Sequence, residues 1–124
     1  MDEQLKKQLS KDPDGLLTYE YIANHIADCG DIMEELVDNM IVVDSTGQFS
    51  ASAARYLNAI DAVAYAGDIS RLVGAAIEKD REHRYIGDLL PALWGADYME
   101  HVEELNAASD NFRRIYKRIH PVGI

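Results

Sequence analysis

Residues 18–43 read TYEYIANHIADCGDIMEELVDNMIVV, and this stretch decides the predicted fold. Apolar side chains recur in it at alternating spacings of three and four residues, which is the period of one helix face. The members of this apolar stripe are Tyr19, Ile22, Ile26, Cys29, Met33, Leu36, Met40 and Val43. The stripe keeps its phase across Gly30, so we predict one long helix over residues 18–43, with Thr18 as its N-cap. The alternative is two helices, the second capped by Asp31.

A second apolar stripe with the same period lies near the end of the chain. Its members are Tyr98, Val102, Leu105, Ser109, Phe112, Tyr116 and Ile119. Residues 106–110 look locally like a loop, but the unbroken spacing favours one helix over residues 97–119.

Shorter helices are predicted around these two. They cover residues 2–11, followed by a turn at 12–15; residues 50–66, capped by Ser50 or Ser52; residues 68–79; and residues 87–94, closed by Gly95. After Val43 a helix–helix loop is favoured over a small hairpin. The sequence shows no internal repeat. It therefore predicts an all-α protein, an up-and-down helical bundle of about four main helices with one or two short ones. Residues 1–124 are expected to form a single domain in which residues 1–15 dock loosely.

Composition narrows the possible classes of protein. The chain has 124 residues and a net charge of −10 at pH 7. No apolar run approaches the roughly 20 residues of a membrane-spanning helix, and the charged first residues do not resemble a signal peptide. We therefore expect a soluble, cytoplasmic protein without a membrane partner. Cys29 is the only cysteine, which excludes an internal disulfide and a zinc site built from several thiolates.

Candidate metal ligands are few. Asp80 and His83 have the spacing of a helical ligand pair, as do Glu100 and Glu103. The two apolar stripes carry no carboxylate or histidine, so these groups point away from a core that would have to surround the metal. Cys29 lies in the apolar stripe and is interpreted as core packing. We therefore predict no enzyme, no metal and no cofactor; the alternative is a helical metal-dependent hydrolase that uses the outward carboxylates.

Charge is distributed unevenly along the chain. There is no Lys or Arg between Lys11 and Arg55. Within that interval four acidic residues follow the three–four rhythm opposite the apolar stripe: Asp28, Asp31, Glu35 and Asp38. A face of one sign lacks the stabilisation that a cation four residues after an acid would add. The acidic stripe is either a solvated face or a docking surface for a basic partner.

The last predicted helix ends with the opposite charge. Its cations are Arg113, Arg114, Lys117 and Arg118. Basic residues in the last turns stabilise a helix through its dipole, and the same four could also bind an acidic surface. Trp94, in the apolar segment of residues 89–95, either closes one end of the bundle or forms an exposed apolar patch.

These features favour a small acidic interaction module, a regulator or adaptor that presents charged helix faces. The predicted partner is a protein with a basic surface, and a homodimer is a further possibility. Direct nucleic-acid binding is not expected, because so acidic a chain repels phosphates. The alternative within binding proteins is an acidic nucleic-acid mimic that inhibits a nucleic-acid-binding protein.

Overall fold

The computed structural model of the protein describes residues 1–121. Within that range the chain forms eight α-helices, three 3₁₀ turns and no strand. The helices are α1 (Glu3–Ser10), α2 (Leu16–Asn24), α3 (Met33–Val43), α4 (Gln48–Asp61), α5 (Ala66–Lys79), α6 (Leu89–Trp94), α7 (Val102–Ala108) and α8 (Asp110–Ile119). The 3₁₀ turns are Gly30–Ile32, Ile86–Asp88 and Tyr98–His101. The predicted all-α helical bundle is confirmed.

The helices pack as three pairs that form two layers. α2 packs against α3, α4 against α5, and α6 against α8. In one layer α4 lies between α2 and α6; in the other, α5 lies between α3 and α8. α1 packs on α3 at one end, and α7 packs on α8 at the other. The core between the layers includes the fully buried Leu36, Leu57, Leu72, Leu89 and Phe112.

The long helix predicted over residues 18–43 is wrong, although the burial of its apolar stripe is right. Cys29 and Met33 are each only 2% exposed, but they lie on either side of a 3₁₀ turn that separates α2 from α3. One continuous helix of this length would extend roughly 39 Å. The break instead brings α2 and α3 against each other, so each buries the apolar face of its partner. The two-helix alternative is correct, but Asp31 is not the cap, since Ile32 holds that position.

The helix predicted over residues 97–119 is also interrupted. Ser109 has an extended backbone (φ −136°, ψ 117°) and separates α7 from α8. Its hydroxyl oxygen accepts a hydrogen bond from the backbone N–H of Phe112 at 3.1 Å, which caps α8. A serine hydroxyl competes in this way with the helical hydrogen bonds, and a periodicity argument does not detect it.

Smaller differences concern where helices begin. α4 starts at Gln48 after Gly47, so neither Ser50 nor Ser52 caps it, and Thr18 lies inside α2. The loop between α3 and α4 and the short helix closed by Gly95 are as predicted. The apolar face of α5 is buried, and its members are Ile69, Leu72, Val73, Ala76 and Ile77.

A similar turn with a buried aspartate occurs three times, each time after a helix. In every copy a buried aspartate is followed three residues later by a residue with positive φ, of 106°, 88° and 57° in chain order. The pairs are Asp12 with Gly15, Asp44 with Gly47, and Asp80 with His83. The sequence does not predict this recurrence, because the arrangement is short and different residues lie between its two defining positions.

The aspartate carboxylate holds each turn together by accepting backbone hydrogen bonds. Asp44 accepts from the N–H groups of Thr46 (3.2 Å), Gly47 (3.0 Å) and Ser50 (2.8 Å). The donors to Asp12 are Asp14, Gly15 and Thr18, and those to Asp80 are Arg84, Tyr85 and Ile86. A buried carboxylate without such partners would be strongly destabilising. With them, it is the structural centre of the turn.

Successive turns also contact one another. A Cβ atom on Gly15 would lie 3.3 Å from Asp44 Cβ, and one on Gly47 would lie 3.2 Å from Asp80 Cβ. The carbonyl of Ile41, near the end of α3, accepts a hydrogen bond from Lys79 at the end of α5. The helix pairs α2–α3 and α4–α5 are each followed by such a turn, and these successive units rest on each other.

The first turn predicts a dependence of stability on pH. Burial opposes ionisation of Asp12, but the Thr18 hydroxyl and the N–H groups of Thr18, Gly15 and Asp14 outweigh it, so the pKa lies below 3.8. A lowered folded-state pKa adds stability above the unfolded-state pKa, and that stability is lost as the pH falls through the folded value. We expect the free energy of unfolding to fall between about pH 5 and about pH 2, and to fall less steeply in Asp12→Asn. Urea unfolding at stepped pH measures both slopes, and equal slopes would contradict this role of Asp12.

Candidate interaction surfaces

The four residues of the predicted acidic stripe do not share one helix. Asp28 lies in the turn after α2, Asp31 lies in the 3₁₀ turn before α3, and Glu35 and Asp38 lie on α3. All four are exposed, as the spacing predicted. The continuous helical stripe is wrong, because the chain reverses between α2 and α3.

Two of these four carboxylates have partners within the protein. Glu35 pairs with the α-amino group of Met1, and Asp38 pairs with the Arg71 guanidinium on α5. Asp28 and Asp31 have no cation within ion-pair distance in the part of the chain described. Two carboxylates of the stripe thus form ion pairs within the protein, and the other two face solvent without an ion-pair partner in residues 1–121.

The structure adds acidic residues from two helices to this region. Burial raises the pKa of the Asp68 carboxyl on α5; Arg71 opposes this shift, and the charges of Glu34 and Asp38 on α3 add to it. Charges on both helices are therefore close enough to interact, with Arg71 between them. We call this region the acidic surface, and its members are Asp31, Glu34, Glu35, Asp38 and Asp68.

Sequence reasoning missed Glu34 and Asp68 as members of the acidic surface. The available signal was the tripeptide Gly-Asp-Ile, which occurs at residues 30–32 and again at residues 67–69. Both copies lie at or near the start of the second helix of a pair, and α3 and α5 are neighbours in one layer. Stacking of the units therefore brings their acidic starts together.

The four predicted cations near the end of the chain lie on α8. Arg113 pairs with Asp110, Arg114 lies 3.9 Å from Glu78 on α5, and Arg118 donates to the carbonyl of Arg114 at 3.0 Å. Lys117 is exposed and has no ion-pair partner in residues 1–121. Across those residues no ion pair joins this basic cluster to the acidic stripe.

Trp94 and Cys29 have structural roles. The Trp94 ring is half-buried and meets Phe112 edge to face, with 5.3 Å between ring centroids. This contact agrees with Trp94 closing one end of the bundle. Burial and the charge of Asp28 raise the pKa of the Cys29 thiol, which disfavours the reactive thiolate and agrees with core packing.

Neither metal-ligand pair considered from the sequence has both its members in a group of three ligands within residues 1–121. The Asp80 carboxylate is buried and already accepts three backbone hydrogen bonds, so it does not form a site with His83. A different trio, Asp97, Glu100 and His101, places its ligand atoms within 4.8 Å of one another. All three side chains are exposed, and His101 contacts Asp97 at 3.2 Å. Exposed acidic groups often cluster in this way without a metal.

In residues 1–121 no helix is long and apolar enough to cross a membrane. Comparison of the chain with protein-family models, with curated proteins and with solved structures found no match.

Proposed function

We propose that this protein is a small interaction module whose acidic surface binds a partner protein with a basic surface. The observation that carries this proposal is the convergence of Glu34, Asp38 and Asp68 from two helices around Arg71. Burial raises the pKa of the Asp68 carboxyl, Arg71 opposes this rise, and the charges of Glu34 and Asp38 add to it, so the three carboxylates are close enough to repel one another.

Such an arrangement is unfavourable for the isolated protein. Like charges at helix spacing destabilise by about 0.2–0.5 kcal/mol per pair, and one exposed ion pair offsets about as much. A single-signed surface does create a long-range field that speeds encounter with a partner of opposite charge. The repulsion among these carboxylates would be relieved when basic side chains of the partner enter between them.

The architecture supports the same proposal. Stacked helical units form extended surfaces that are suited to binding other macromolecules. Asp31 and Asp68 belong to successive units, so a partner that spans α3 and α5 would contact one acidic residue of each unit. A second copy of the chain, presenting Arg113 to Arg118, is one such partner.

Removing the charge of the acidic surface should abolish capture of the partner while preserving the fold. The variant carries Asp31→Asn, Glu34→Gln, Asp38→Asn and Asp68→Asn. A control with the same charge change at the other end of the chain carries Asp97→Asn, Glu100→Gln, Glu103→Gln and Glu104→Gln. Each protein is immobilised and exposed to lysate of its source, and retained proteins are quantified by mass spectrometry at increasing salt, which screens the attraction.

We expect the parent and the control to retain the same basic protein, and the surface variant to lose at least nine-tenths of it. Equal retention by all three proteins would contradict the proposal. Competition by added duplex DNA would identify the retained protein as nucleic-acid-binding and favour the mimic. Sedimentation of the parent at low and high salt reports whether a second copy is the partner.

A further inference from the structure

A cleft of about 380 Å³ opens between the loop after α3 and the loop after α5. It lies at the opposite end of these two helices from the Gly-Asp-Ile segments, and so apart from Asp31 and Asp68. The side chains that could bind a ligand there are Ser45, Thr46, Lys79, Arg81, Arg84 and Tyr85. The volume is within the range of small-ligand sites, roughly 300–1,000 Å³.

The cleft is locally basic in a strongly acidic protein. Two carboxylates, Asp80 and Glu82, also line it. The Asp80 carboxylate is buried and accepts hydrogen bonds from three backbone N–H groups. Glu82 forms an exposed ion pair with Arg84, and another anion can readily replace Glu82 in such a pair. Arg81 has no ion-pair partner in residues 1–121. Cationic groups at this cleft therefore remain available to a ligand.

These cations are not required by the turn that carries them. The recurring turn needs a buried aspartate and a residue with positive φ three positions later. The first two copies meet that need without a cation inside the turn, since Pro13 and Ser45 follow their aspartates. Only the third copy has arginines here, with Arg81 inside the turn and Arg84 directly after it. A structural role for the turn thus leaves the two arginines unexplained.

The remaining groups are suited to an oxyanion. Lys79 donates to the carbonyls of Ile41 and Asp44, which fixes its ammonium at the wall of the cleft and leaves one further N–H. The Thr46 hydroxyl oxygen accepts from the N–H of Gln48 at 3.3 Å, so its own hydrogen is free to donate. Guanidinium groups bind phosphate through paired hydrogen bonds.

We propose that this cleft binds a phosphate monoester through Arg81, Arg84 and Lys79, with the hydroxyls of Ser45 and Thr46 as further donors. The phosphate belongs either to a free phosphate compound or to a phosphorylated side chain of another protein. In both cases the anion displaces Glu82 from Arg84.

The test is a titration followed by the amide NMR signals of the protein at constant ionic strength. The probes are inorganic phosphate, a short neutral peptide containing phosphoserine, and the same peptide without phosphate. We expect shifts at residues 45–46 and 81–85 with both phosphorylated probes and none with the unmodified peptide. A phosphopeptide that binds at least tenfold tighter than inorganic phosphate assigns a phosphorylated side chain; similar affinities assign the phosphate itself.

Variants distinguish binding at this cleft from a general attraction of phosphate to exposed cations. Arg81→Gln combined with Arg84→Gln should weaken binding at least tenfold, and Glu82→Gln should strengthen it. Lys7→Gln, which removes an exposed cation from α1, should leave binding unchanged. The buried Asp80 is kept in every variant, so the turn is preserved. Absence of shifts in the two loops, or a double variant that binds as well as Lys7→Gln, would overturn the proposal.

Discussion

Replacing Met33 with aspartate is expected to unfold the protein at room temperature. Met33 begins α3, is 2% exposed and belongs to the core between the two helix layers. A carboxylate there has no counter-charge, and burying an unpaired charge costs several kcal/mol or more. Native proteins have only about 5–15 kcal/mol of stability to lose. Circular dichroism and one-dimensional NMR should show loss of the cooperative thermal transition.

Two further substitutions to aspartate are the controls. Leu105 on α7 lies, like Met33, in a predicted apolar stripe, but it is only half-buried. Val42 on α3 is 81% exposed. We expect Leu105→Asp to destabilise moderately, and Val42→Asp to change the free energy of unfolding by no more than about 0.5 kcal/mol. A Met33→Asp protein that melts with the parent would place Met33 outside the core.

Replacing Asp44 with alanine is expected to lower the free energy of unfolding by at least about 3 kcal/mol, and the melting temperature by about 10 °C or more. Asp44 is 1% exposed, and its carboxylate accepts the N–H groups of Thr46, Gly47 and Ser50. Alanine leaves these donors without their acceptor, two of them at buried residues. The turn also supports the next unit, because Gly15 packs on Asp44. Urea unfolding gives the difference.

The matched control is Asp28→Ala, the same chemical change at an exposed turn position that makes no side-chain hydrogen bond within residues 1–121. Its unfolding free energy should stay within about 0.5 kcal/mol of the parent. Asp44→Asn keeps a carbonyl oxygen as acceptor, so it should fall between the two. If Asp44→Ala is as stable as Asp28→Ala, the carboxylate does not hold the turn.

Helical periodicity predicted which residues are buried far better than where helices end. The spacing of the stripe through Met33 and Leu36 correctly marks a buried face. It does not report whether the chain continues or reverses, because a short turn can preserve the phase of a stripe. The reversal before Met33 and the break at Ser109 depend on packing and on one local hydrogen bond, respectively. These energies do not appear in a pattern of apolar residues.

The acidic positions divide in the same way. Their exposure followed from the phase of the apolar stripe, and Asp31, Glu35 and Asp38 were identified from the sequence alone. Asp68 joins them only because α5 packs beside α3, and it belongs to a different unit of the stack. A charge pattern along one helix cannot include a residue that tertiary packing brings in from another.

The amino-acid sequence by itself thus determined the helical class, the buried faces and the exposed acidic positions, because each follows from local spacing and solvation. Only the tertiary structure decided the pairing of helices, the shared acidic surface and the burial of Asp12, Asp44 and Asp80. An aspartate in a turn is ordinarily expected to face water. It is buried here because the folded loop directs three nearby N–H groups at each carboxylate, and packing of the rest of the chain then excludes water from it.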